Sequence, residues 1–419
     1  MKQLEVVRDP LWNNIRLEPE ALAVVDTPAV QRLRYVRQLG HAFLVYPGAT
    51  HTRFEHMLGA YHLARRALAQ LEETGHRVDP GDAQRIKLAA LLHDVGHYPF
   101  SHALEEAGLP HHEALAEHHL GAGELAVALN RIDVDPRRLF ALIRGERSDP
   151  LAGLVSGSLD VDKLDYLSRD AWMCGVPYGV IDVDRLLMSL TVVAGRGLAV
   201  TEKGLAALES LLYAKYQMYR NVYWHHAVRS ATAMFKRLVR QALAAGRIRK
   251  DDVAVATDDG LIHELQRGDT TGLAQALRER RLAKRALDLP ATDLPDGAGE
   301  WLGDEPDLVA GVEDRLATEL GLDPGELFID FPVKRDMLGL DLPLARRDGS
   351  VVQLTGTGAA SHLGLARVAG ELIRSARRLR VFVLRPVAVP AKQVIGLASL
   401  PREELRRRLA EDRSLLGPG

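Results

Sequence analysis

The chain has 419 residues, of which 47% are hydrophobic and 26% are charged, and its 54 Lys and Arg against 56 Asp and Glu give a formal net charge of −2. This length favours two domains with a large core, and the composition is typical of a soluble globular protein. The near-neutral charge excludes an overall basic field for nucleic acid and leaves only a local basic groove for that purpose.

The single Cys174 excludes a disulfide scaffold and fits a reducing compartment. The N-terminus has no apolar segment of the kind found in secretory signals, and no apolar run is of membrane-spanning length. These features predict a cytoplasmic protein without membrane association.

The first part of the chain is predicted to be nearly all helical. Residues 1–20 predict an extended entry or hairpin, and a helix begins near Pro28 and stops at Gly40. Apolar periodicity then predicts helices at 53–72, 82–96, 111–129, 136–144 and 159–169. A hairpin at 191–201 precedes one long helix at 203–244, whose aromatic side chains at spacings of three and four indicate ordinary packing when taken alone.

The last part of the chain mixes helices and strands. A boundary is predicted at 246–251, and a loop rich in Pro, Gly and Asp at 290–303. The remaining predicted elements are helices at 260–285, 306–321 and 362–378, and strands at 326–334, 351–354 and 380–385. The sequence therefore predicts a mainly α protein, with a helical core in residues 1–250 and a smaller α+β region in residues 251–419.

An adjacent His93-Asp94 pair at the end of the apolar helix 82–96 is the main chemical signal. His97 follows four residues after His93, so the two share a face for as long as the helix lasts. Gly96 and Pro99 then break the helix. The next segment can therefore return further side chains to the same site, and His102 and Glu105 are the candidates in it.

The histidines are concentrated around this pair, since 12 of the 16 lie between His41 and His119. An adjacent His-Asp pair with more histidines nearby indicates a metal-dependent phosphohydrolase. The alternative for this segment alone is a helix end with chance histidines.

Four side chains have the right chemistry for one metal ion: His56, His93, Asp94 and Asp162. Two imidazoles and two carboxylates suit Mn²⁺, Fe²⁺ or Zn²⁺ better than Mg²⁺. Taken alone, Asp162 is equally explained as a surface carboxylate. Its neighbours Asp160 and Asp165 favour a metal role, because crowded carboxylates repel one another and a shared cation relieves the repulsion.

A series of motifs resembles the HD-domain deoxynucleoside triphosphate triphosphohydrolases (dNTPases and dGTPases). The matching segments, in order along the chain, are residues 8–11, 26–28, 31–34, 38–40, 47–51, 53–56, 93–102, 160–166 and 223–234. The chain most resembles the branch that includes the vertebrate restriction-factor enzyme, without its sterile-alpha-motif domain. The resemblance covers about residues 5–285 and implies an HD-domain helical core.

The resemblance implies cleavage of a dNTP to a deoxynucleoside and inorganic triphosphate by water attack at the α-phosphorus. It implies that one divalent metal per site is bound by His56, His93, Asp94 and Asp162, with Mg²⁺ as a counter-ion of the triphosphate. His102 matches the residue that protonates the leaving 5′-oxygen. The other acid-base and phosphate-contacting positions match His97, His112 and Glu105. Imidazole suits such a role because its ordinary pKa is near neutrality.

The resemblance also implies a substrate site. Arg53, Lys163, Tyr166 and Lys215 match positions that contact the phosphates, and Lys215 stands where the related enzyme has Arg. The bidentate contact of an arginine with phosphate would therefore be replaced by the point charge of a lysine ammonium group.

The deoxyribose and base are implied to meet a second set of residues. Gln38 and Asp170 match residues that bond the 3′-hydroxyl, and Tyr166 packs where a 2′-hydroxyl would collide. Tyr223 matches a residue close to the base and sugar, and His225 is a secondary candidate.

Asp26, Gln31 and Arg34 match positions that read an activating guanine nucleotide between subunits in that branch. A carboxylate at a helix start and an arginine on a solvated face explain the same residues without an effector. With an effector, a homo-oligomer, either a dimer or a tetramer, is part of the mechanism. Further contacts would come from the C-terminal region, with Lys334 and Arg335 as candidates.

Three alternatives to a dNTPase stay open at this point. One is another HD-superfamily enzyme, such as a nucleotidase or a phosphodiesterase. A nuclease or nucleic-acid binder with the same centre is the second, although the net charge gives it no support. The third is a regulatory module without catalysis, against which the intact histidine and aspartate set argues.

Overall fold

The computed structural model describes residues 5–146, 149–332, 338–355 and 364–417. The strands are β1 (Glu5–Asp9), β2 (Asn13–Leu17), β3 (Leu190–Val193), β4 (Gly197–Thr201), β5 (Lys284–Pro290), β6 (Leu327–Asp330), β7 (Asp341–Ala345), β8 (Val351–Thr355) and β9 (Arg378–Val383). The helices before residue 250 are α1 (Pro19–Val25), α2 (Pro28–Gln31), α3 (Arg53–Glu73), α4 (Pro80–Leu92), α5 (His112–Gly121), α6 (Gly123–Arg131), α7 (Pro136–Ile143), α8 (Val161–Cys174), α9 (Val183–Met188), α10 (Leu205–Met218) and α11 (His226–Ala244). From residue 250 onwards they are α12 (Lys250–Val255), α13 (Asp258–Arg267), α14 (Leu273–Arg278), α15 (Trp301–Asp304), α16 (Pro306–Glu319), α17 (Gly364–Ala376), α18 (Ala391–Ala398) and α19 (Arg402–Ala410).

Helix α3 is the central element of the N-terminal part. Its start is fixed by a capping box, in which Thr52 and Glu55 satisfy each other's free backbone N–H groups. Buried residues from Phe54 to Leu71 line its inner face, which packs against α4 and α8. These three helices carry the metal-ligand candidates, so their packing decides the geometry of the site.

Within the described ranges, the strands form three sheets. Strands β1 and β2 form an antiparallel hairpin at the N-terminus. A four-stranded sheet has the order β3-β4-β7-β8, in which β4 and β7 run parallel with Val200 beside Leu344. The third sheet, β5-β9-β6, is antiparallel throughout.

The hydrophobic core extends across the predicted domain boundary. One cluster joins the helices around α3 to Leu344 of β7 and Ile373 of α17. Another joins Leu238 of α11 to Leu277 of α14 and Phe382 of β9. Because hydrophobic packing continues across residue 250, the division into residues 1–250 and 251–419 stays a prediction.

The prediction of a mainly α protein with a smaller α+β C-terminal region is confirmed. The N-terminal hairpin, the hairpin at β3–β4, and helices α3, α7 and α16 lie close to where they were predicted. Within the described part of the chain, none of the helices combines the length and apolarity needed to span a bilayer.

Several predicted helices are shorter than their periodicity indicated. The helix at 82–96 ends at Leu92, so His93 and His97 do not share a helical face. The helix at 111–129 is divided at Ala122, which is extended between two glycines. The segment 260–285 is divided by the glycines around 268–272 and ends as strand β5, which pairs with β9.

The long helix predicted at 203–244 is also interrupted. Residues Tyr219–Tyr223 form a π-helical turn, and His225 is extended before α11 begins. A π-turn inserts extra backbone into a helix and often marks a functional site. Here it redirects Tyr223 towards α8, where its hydroxyl meets Asp170.

Candidate metal centre and active site

The end of one helix and the first turns of two others converge on one cluster of polar side chains. His56 lies in the first turns of α3, and Asp162 lies in the first turn of α8. Residues His93 and Asp94 follow directly after α4. Asp160 caps α8 by accepting the backbone N–H of Lys163 at 2.9 Å, which fixes where Asp162 lies.

The structure brings the four predicted metal ligands together. The Nε2 atoms of His56 and His93 are 3.1 Å apart, and Asp162 Oδ1 lies 3.1 Å from the first and 3.5 Å from the second. Asp94 Oδ1 is 3.5 Å from His93 Nε2. His56, His93 and Asp162 offer ligand atoms close enough together to hold one divalent transition metal, and Asp94 lies beside them with its other oxygen bonded to Arg53.

The electrostatics of this pocket favour positive charge. Burial lowers the pKa of His56, but the hydrogen-bonded carboxylates of Asp162 and Asp165 outweigh it and raise the pKa to about 10. The pKa of Asp162 is held well below its usual range, because the two imidazoles offset the effect of burial. A pocket that stabilises protons on its histidines this strongly also stabilises a metal cation in their place.

Asp165 contacts the ring nitrogen of the metal-ligand candidate His56 that lies away from the other candidates. Its Oδ2 lies 2.8 Å from His56 Nδ1, so Nε2 is the nitrogen left facing the pocket. Asp165 also accepts hydrogen bonds from Arg169 and from the indole of Trp12. A carboxylate behind a ligating histidine is the usual device that fixes its tautomer and ring orientation.

The expectation that one cation relieves repulsion among Asp160, Asp162 and Asp165 is wrong for two of the three. Asp160 pairs with Lys163 and caps α8, and Asp165 pairs with Arg169. Of these three carboxylates, only Asp162 lies close to the Nε2 atoms of both His56 and His93, because Asp165 contacts the opposite nitrogen of His56. The helical turn separates the side chains that crowd together in the sequence.

A second polar cluster lies beside the metal-ligand set. Glu105 lies between His102 Nδ1 at 3.1 Å and His112 Nδ1 at 2.6 Å, and the rings of His97 and His112 stack at 3.9 Å. His97 Nε2 is 3.3 Å from Asp94 Oδ1, which joins the two clusters. His102 is the exposed member, whereas His97 is buried.

The charge states within this cluster differ. Burial raises the pKa of Glu105, but hydrogen bonds from His102 and His112 lower it well below its usual range. Burial, with Arg53 and His112 nearby, lowers the pKa of His97 far below its ordinary value. The cluster therefore combines a carboxylate, a neutral buried imidazole and an exposed imidazole backed by the carboxylate.

The predicted phosphate contacts occupy different environments. Arg53, the first residue of α3, is buried and donates to Asp94 Oδ2 and Ser101 Oγ. Lys163 donates to Asp160 and to the carbonyl oxygen of Gly157 at 2.9 Å. Lys215 is buried on α10. Arg53 is therefore the basic residue in direct contact with the metal-ligand candidates.

Three of the predicted sugar contacts, Gln38, Asp170 and Tyr223, are joined through His51 by hydrogen bonds. The two oxygens of Asp170 are each 2.7 Å from a partner, His51 Nε2 on one side and the hydroxyl of Tyr223 on the other. The backbone N–H of Gln38 donates to the carbonyl of His51 at 3.0 Å. Gln38 is buried, and in the described part of the chain its Oε1 has no hydrogen-bond partner.

Tyr166 lies on α8 one turn after Asp162, with its ring 6.4 Å from that of His56. It thus lies beside the metal-ligand candidates. His225 lies after the π-turn, with its ring tilted against that of His226 at a centroid distance of 4.4 Å.

The predicted effector residues lie together on the surface near α1 and α2. Gln31 donates to the carbonyl of Val25 at 2.8 Å, next to the exposed Asp26, and accepts from Arg34 Nε at 2.8 Å. The Arg34 guanidinium also lies 3.6 Å over the ring of Phe54. Lys334 and Arg335 lie outside the described residues.

Sequence reasoning missed three residues of this site. His51 holds Asp170, Ser101 accepts from Arg53, and Asp165 holds His56. For Asp165 a signal was present, since its spacing of four to Arg169 indicates a helical ion pair beside Asp162. For His51 and Ser101 the partners are distant in sequence, at Asp170 and Arg53.

Two protein-family models match the chain. One is described as an HD domain and matches residues 53–170, and the other is described as an HD associated region and matches residues 181–362. The first range contains all four metal-ligand candidates.

Known proteins resemble the chain to different extents. An uncharacterized protein of Methanocaldococcus jannaschii is 32% identical over 346 residues, which cover 79% of this chain and 70% of that protein. Deoxynucleoside triphosphate triphosphohydrolase SAMHD1 of Mus musculus is 31% identical over 212 residues, which cover 41% of this chain and only 32% of that enzyme. A solved phosphohydrolase of Bacteroides thetaiotaomicron shares the fold, with a TM-score of 0.74 and 22% identity over 91% of this chain and 100% of its own.

Proposed function

This chain belongs to the HD-domain family of phosphohydrolases whose HD domain is followed by an HD associated region, and from this premise we propose that it hydrolyses dNTPs. The products are a deoxynucleoside and inorganic triphosphate. The observation that carries the proposal is the direct contact between a metal-ligand set and an imidazole-carboxylate cluster, joined by Asp94 and His97. Such a pair of clusters supplies both metal and acid-base chemistry to one phosphate.

His56, His93, Asp94 and Asp162 would hold one divalent ion, with Mn²⁺, Fe²⁺ or Zn²⁺ favoured by the donor set. When bound there, the ion would polarise the α-phosphorus and lower the pKa of the attacking water. Mg²⁺ is expected as counter-ion of the triphosphate.

His102 is the proposed acid. Because Glu105 faces its Nδ1 atom, Nε2 is left to deliver a proton to the leaving 5′-oxygen. In this step a water oxygen bonds to the α-phosphorus, the bond from phosphorus to the 5′-oxygen breaks, and the proton of His102 passes to that oxygen. A proton released by the attacking water then returns His102 to its protonated form. His112 and Glu105 hold His102 in place, and the buried neutral His97 provides a hydrogen bond beside Asp94.

Arg53, Lys163 and Lys215 are the proposed cationic contacts of the triphosphate. The support for Arg53 is its contact with Asp94, which sets its charge beside the reacting phosphorus. Lys163 would have to exchange its bond to Asp160 for one to phosphate.

Selection of the deoxyribose is assigned to Gln38, Tyr166, Asp170 and Tyr223. The support is the unpartnered Gln38 Oε1 among the described residues, since a buried acceptor gains a full hydrogen bond from a sugar hydroxyl. Both Asp170 oxygens already accept hydrogen bonds, so Asp170 would meet the 3′-hydroxyl only after rearrangement or through its second lone pairs.

Activation by a guanine nucleotide within a homo-oligomer, a dimer or a tetramer, is the regulatory part of the proposal. Its support is the grouping of Gln31 and Arg34 next to exposed Asp26. An amide and a guanidinium side by side can address a purine edge and a phosphate.

The test is incubation of the purified protein with each dNTP and NTP, singly and mixed, with Mn²⁺ or Mg²⁺. Products are separated by ion-exchange chromatography. Deoxynucleoside with intact triphosphate is the expected result, and turnover confined to mixtures or to samples with a guanine nucleotide would support the effector site.

Other product patterns would redirect the assignment. Nucleoside monophosphate with pyrophosphate would keep the metal centre and overturn the cleavage position. Turnover of monophosphates, cyclic nucleotides or single strands, with dNTPs untouched, would favour the nucleotidase, phosphodiesterase or nuclease alternative.

A further inference from the structure

The loop before His102 has an unusual backbone. Phe100 and Ser101 have φ of 56° and 60°, so two consecutive residues that carry Cβ atoms lie in the left-handed region. L-residues avoid this region because Cβ crowds the following backbone, and a run of two needs outside support. The conformation turns the chain so that Ser101 and His102 both reach the candidate site.

One buried carboxylate supplies that support from outside the HD-domain match. Asp258, at the start of α13, accepts the backbone N–H of Phe100 through Oδ1 at 2.9 Å. The Phe100 ring is further held between His41 and Phe235, each 4.5 Å away. The hydrogen bond fixes the peptide unit between Pro99 and Phe100, and the packing fixes the Phe100 side chain directly before Ser101.

The other oxygen of the same carboxylate holds a second part of the site. Asp258 Oδ2 accepts the backbone N–H of Arg37 at 3.1 Å and its guanidinium at 3.2 Å. Arg37 directly precedes Gln38, the buried amide with the unpartnered acceptor. The two segments also touch directly, since a Cβ on Gly40 would lie 2.9 Å from the Phe100 carbonyl oxygen.

The three donors offset part of the cost of burying Asp258, although burial still raises the pKa of its carboxyl above the ordinary value. Its side chain is only 2% exposed, and a buried carboxylate is costly unless hydrogen bonds replace its water. Each donor belongs to a segment that carries a proposed site residue. A carboxylate in this position therefore orders two loops at once.

We propose that Asp258 is a positioning residue, which holds the Phe100–His102 turn and the Arg37–Gln38 segment in register across the active site. The inference rests on the proposed function for its effect on turnover. It extends the site to α13, a helix that contributes no proposed ligand or catalytic group.

The first test is Asp258→Asn in the full chain. The amide keeps the size and one acceptor, but its NH₂ group cannot accept from either Phe100 or Arg37. The neighbouring Asp259→Asn, on the exposed side of α13, is the matched control. The readouts are bound metal per chain, kcat for dNTP cleavage, and amide hydrogen exchange.

We expect Asp258→Asn to lower kcat by about 100-fold, with metal content unchanged. Exchange should quicken in residues 36–40 and 98–104, and helix α3 should stay as protected as in the wild type. A merely structural role would instead quicken exchange throughout and reduce metal content. That pattern, or unchanged kcat and unchanged exchange, would overturn the proposal.

The wild-type protein provides a test that needs no variant. The Phe100 amide lies in a loop yet bonds to a buried carboxylate, so its exchange should be as slow as that of helical amides. Rapid exchange at Phe100 would refute the positioning role. If the wild type cleaves no dNTP, the proposed function fails, and the two exchange measurements still decide the role of Asp258.

Discussion

At the scale of single residues, the His56 ring has one carboxylate at each of its two nitrogens. Asp162 lies 3.1 Å from Nε2 and Asp165 lies 2.8 Å from Nδ1. A proton on Nδ1 would be retained by Asp165, which leaves the lone pair of Nε2 for the metal. Asp165 in turn depends on Arg169, which is anchored by Asp9 in the N-terminal hairpin.

This arrangement predicts the effect of Asp165→Asn. Metal affinity should fall by about 10–100-fold, because the amide can no longer fix the tautomer of His56. Stability should fall as well, by about 3–5 kcal/mol, because Arg169 loses a buried partner. A titration of Mn²⁺ against a competing chelator measures the affinity.

Asp184→Asn, at an exposed carboxylate on α9, is the control for that experiment. Unaltered metal affinity in a folded Asp165→Asn protein would show that Asp165 is only part of an ion-pair network.

His102 can be tested separately from the metal. His102→Gln should lower kcat by about 100-fold to 10,000-fold, the usual range for a general acid, and leave the metal content at the wild-type level. His118→Gln, an exposed histidine of α5, should leave both unchanged. A His102→Gln enzyme with wild-type kcat would move the acid role to another group.

At the scale of elements, α11, α16 and β6 share a buried acid. Glu313 on α16 accepts the backbone N–H of Ile329 in β6 at 2.8 Å, and Arg237 of α11 lies 3.8 Å away. Burial raises the pKa of Glu313 to about 7 from an ordinary value of 4.5, against the opposing effect of these contacts. The folded state therefore holds a proton that the unfolded state releases between these two pH values.

The sign of the pH dependence follows from that difference. The stabilising contribution of Glu313 is complete below about pH 4.5 and is lost as pH rises through about 7. Glu313→Gln keeps an oxygen for Ile329 and removes the titration. The free energy of unfolding of the variant, relative to the wild type, should therefore rise by about 3 kcal/mol between pH 5 and pH 8.

Urea unfolding at several pH values measures this difference, with Asp307→Asn on the exposed side of α16 as the control. A difference between Glu313→Gln and the wild type that stays constant with pH would mean that Glu313 is ionised throughout.

Elements whose signal is local were predictable from the sequence, and elements fixed by distant partners were not. The periodicity and capping residues of α3 are contained in its own residues, and α3 was predicted within one residue at each end. Strand β7 was missed because its partners are β4 and β8. The π-turn at Tyr219–Tyr223 was missed because helical periodicity continues through it, and the partner of Tyr223, Asp170, is distant in the sequence.

The same distinction holds within the site. The His93-Asp94 pair and its neighbouring histidines are visible as a local motif, and the structure brings them together with His56 and Asp162. The residues that hold the site in place from distant positions in the chain have no such local motif. Asp258 holds Phe100 across 158 positions of the chain, and no local pattern points to it.

At the scale of the whole molecule, the candidate metal ligands come from three helices of the core. Because the ligand candidates come from α3, α8 and the end of α4, a bound ion stabilises the folded state and not the unfolded chain. Removal of the metal by a chelator should lower Tm. At free metal equal to about 100 Kd, the lost stabilisation is about 2.7 kcal/mol.

Calorimetry with and without chelator, followed by Mn²⁺ addition, measures this effect. Asp162→Ala, which lacks one ligand candidate, should respond far less than the wild type. Equal responses of the two proteins would place the bound metal elsewhere.

The parallel pairing of β4 with β7 has a consequence for synthesis on the ribosome. Val200 and Leu344 are 144 positions apart, so β4 has no β7 to pair with until that length of chain has been translated. At about 5–20 residues per second, the delay is roughly 7–30 s. Throughout it, one edge of the β3–β4 hairpin offers unpaired N–H and C=O groups to other chains. During this period the nascent protein can aggregate through that edge. Binding of a chaperone, or slow translation after α11, would therefore change the fraction of the protein that aggregates.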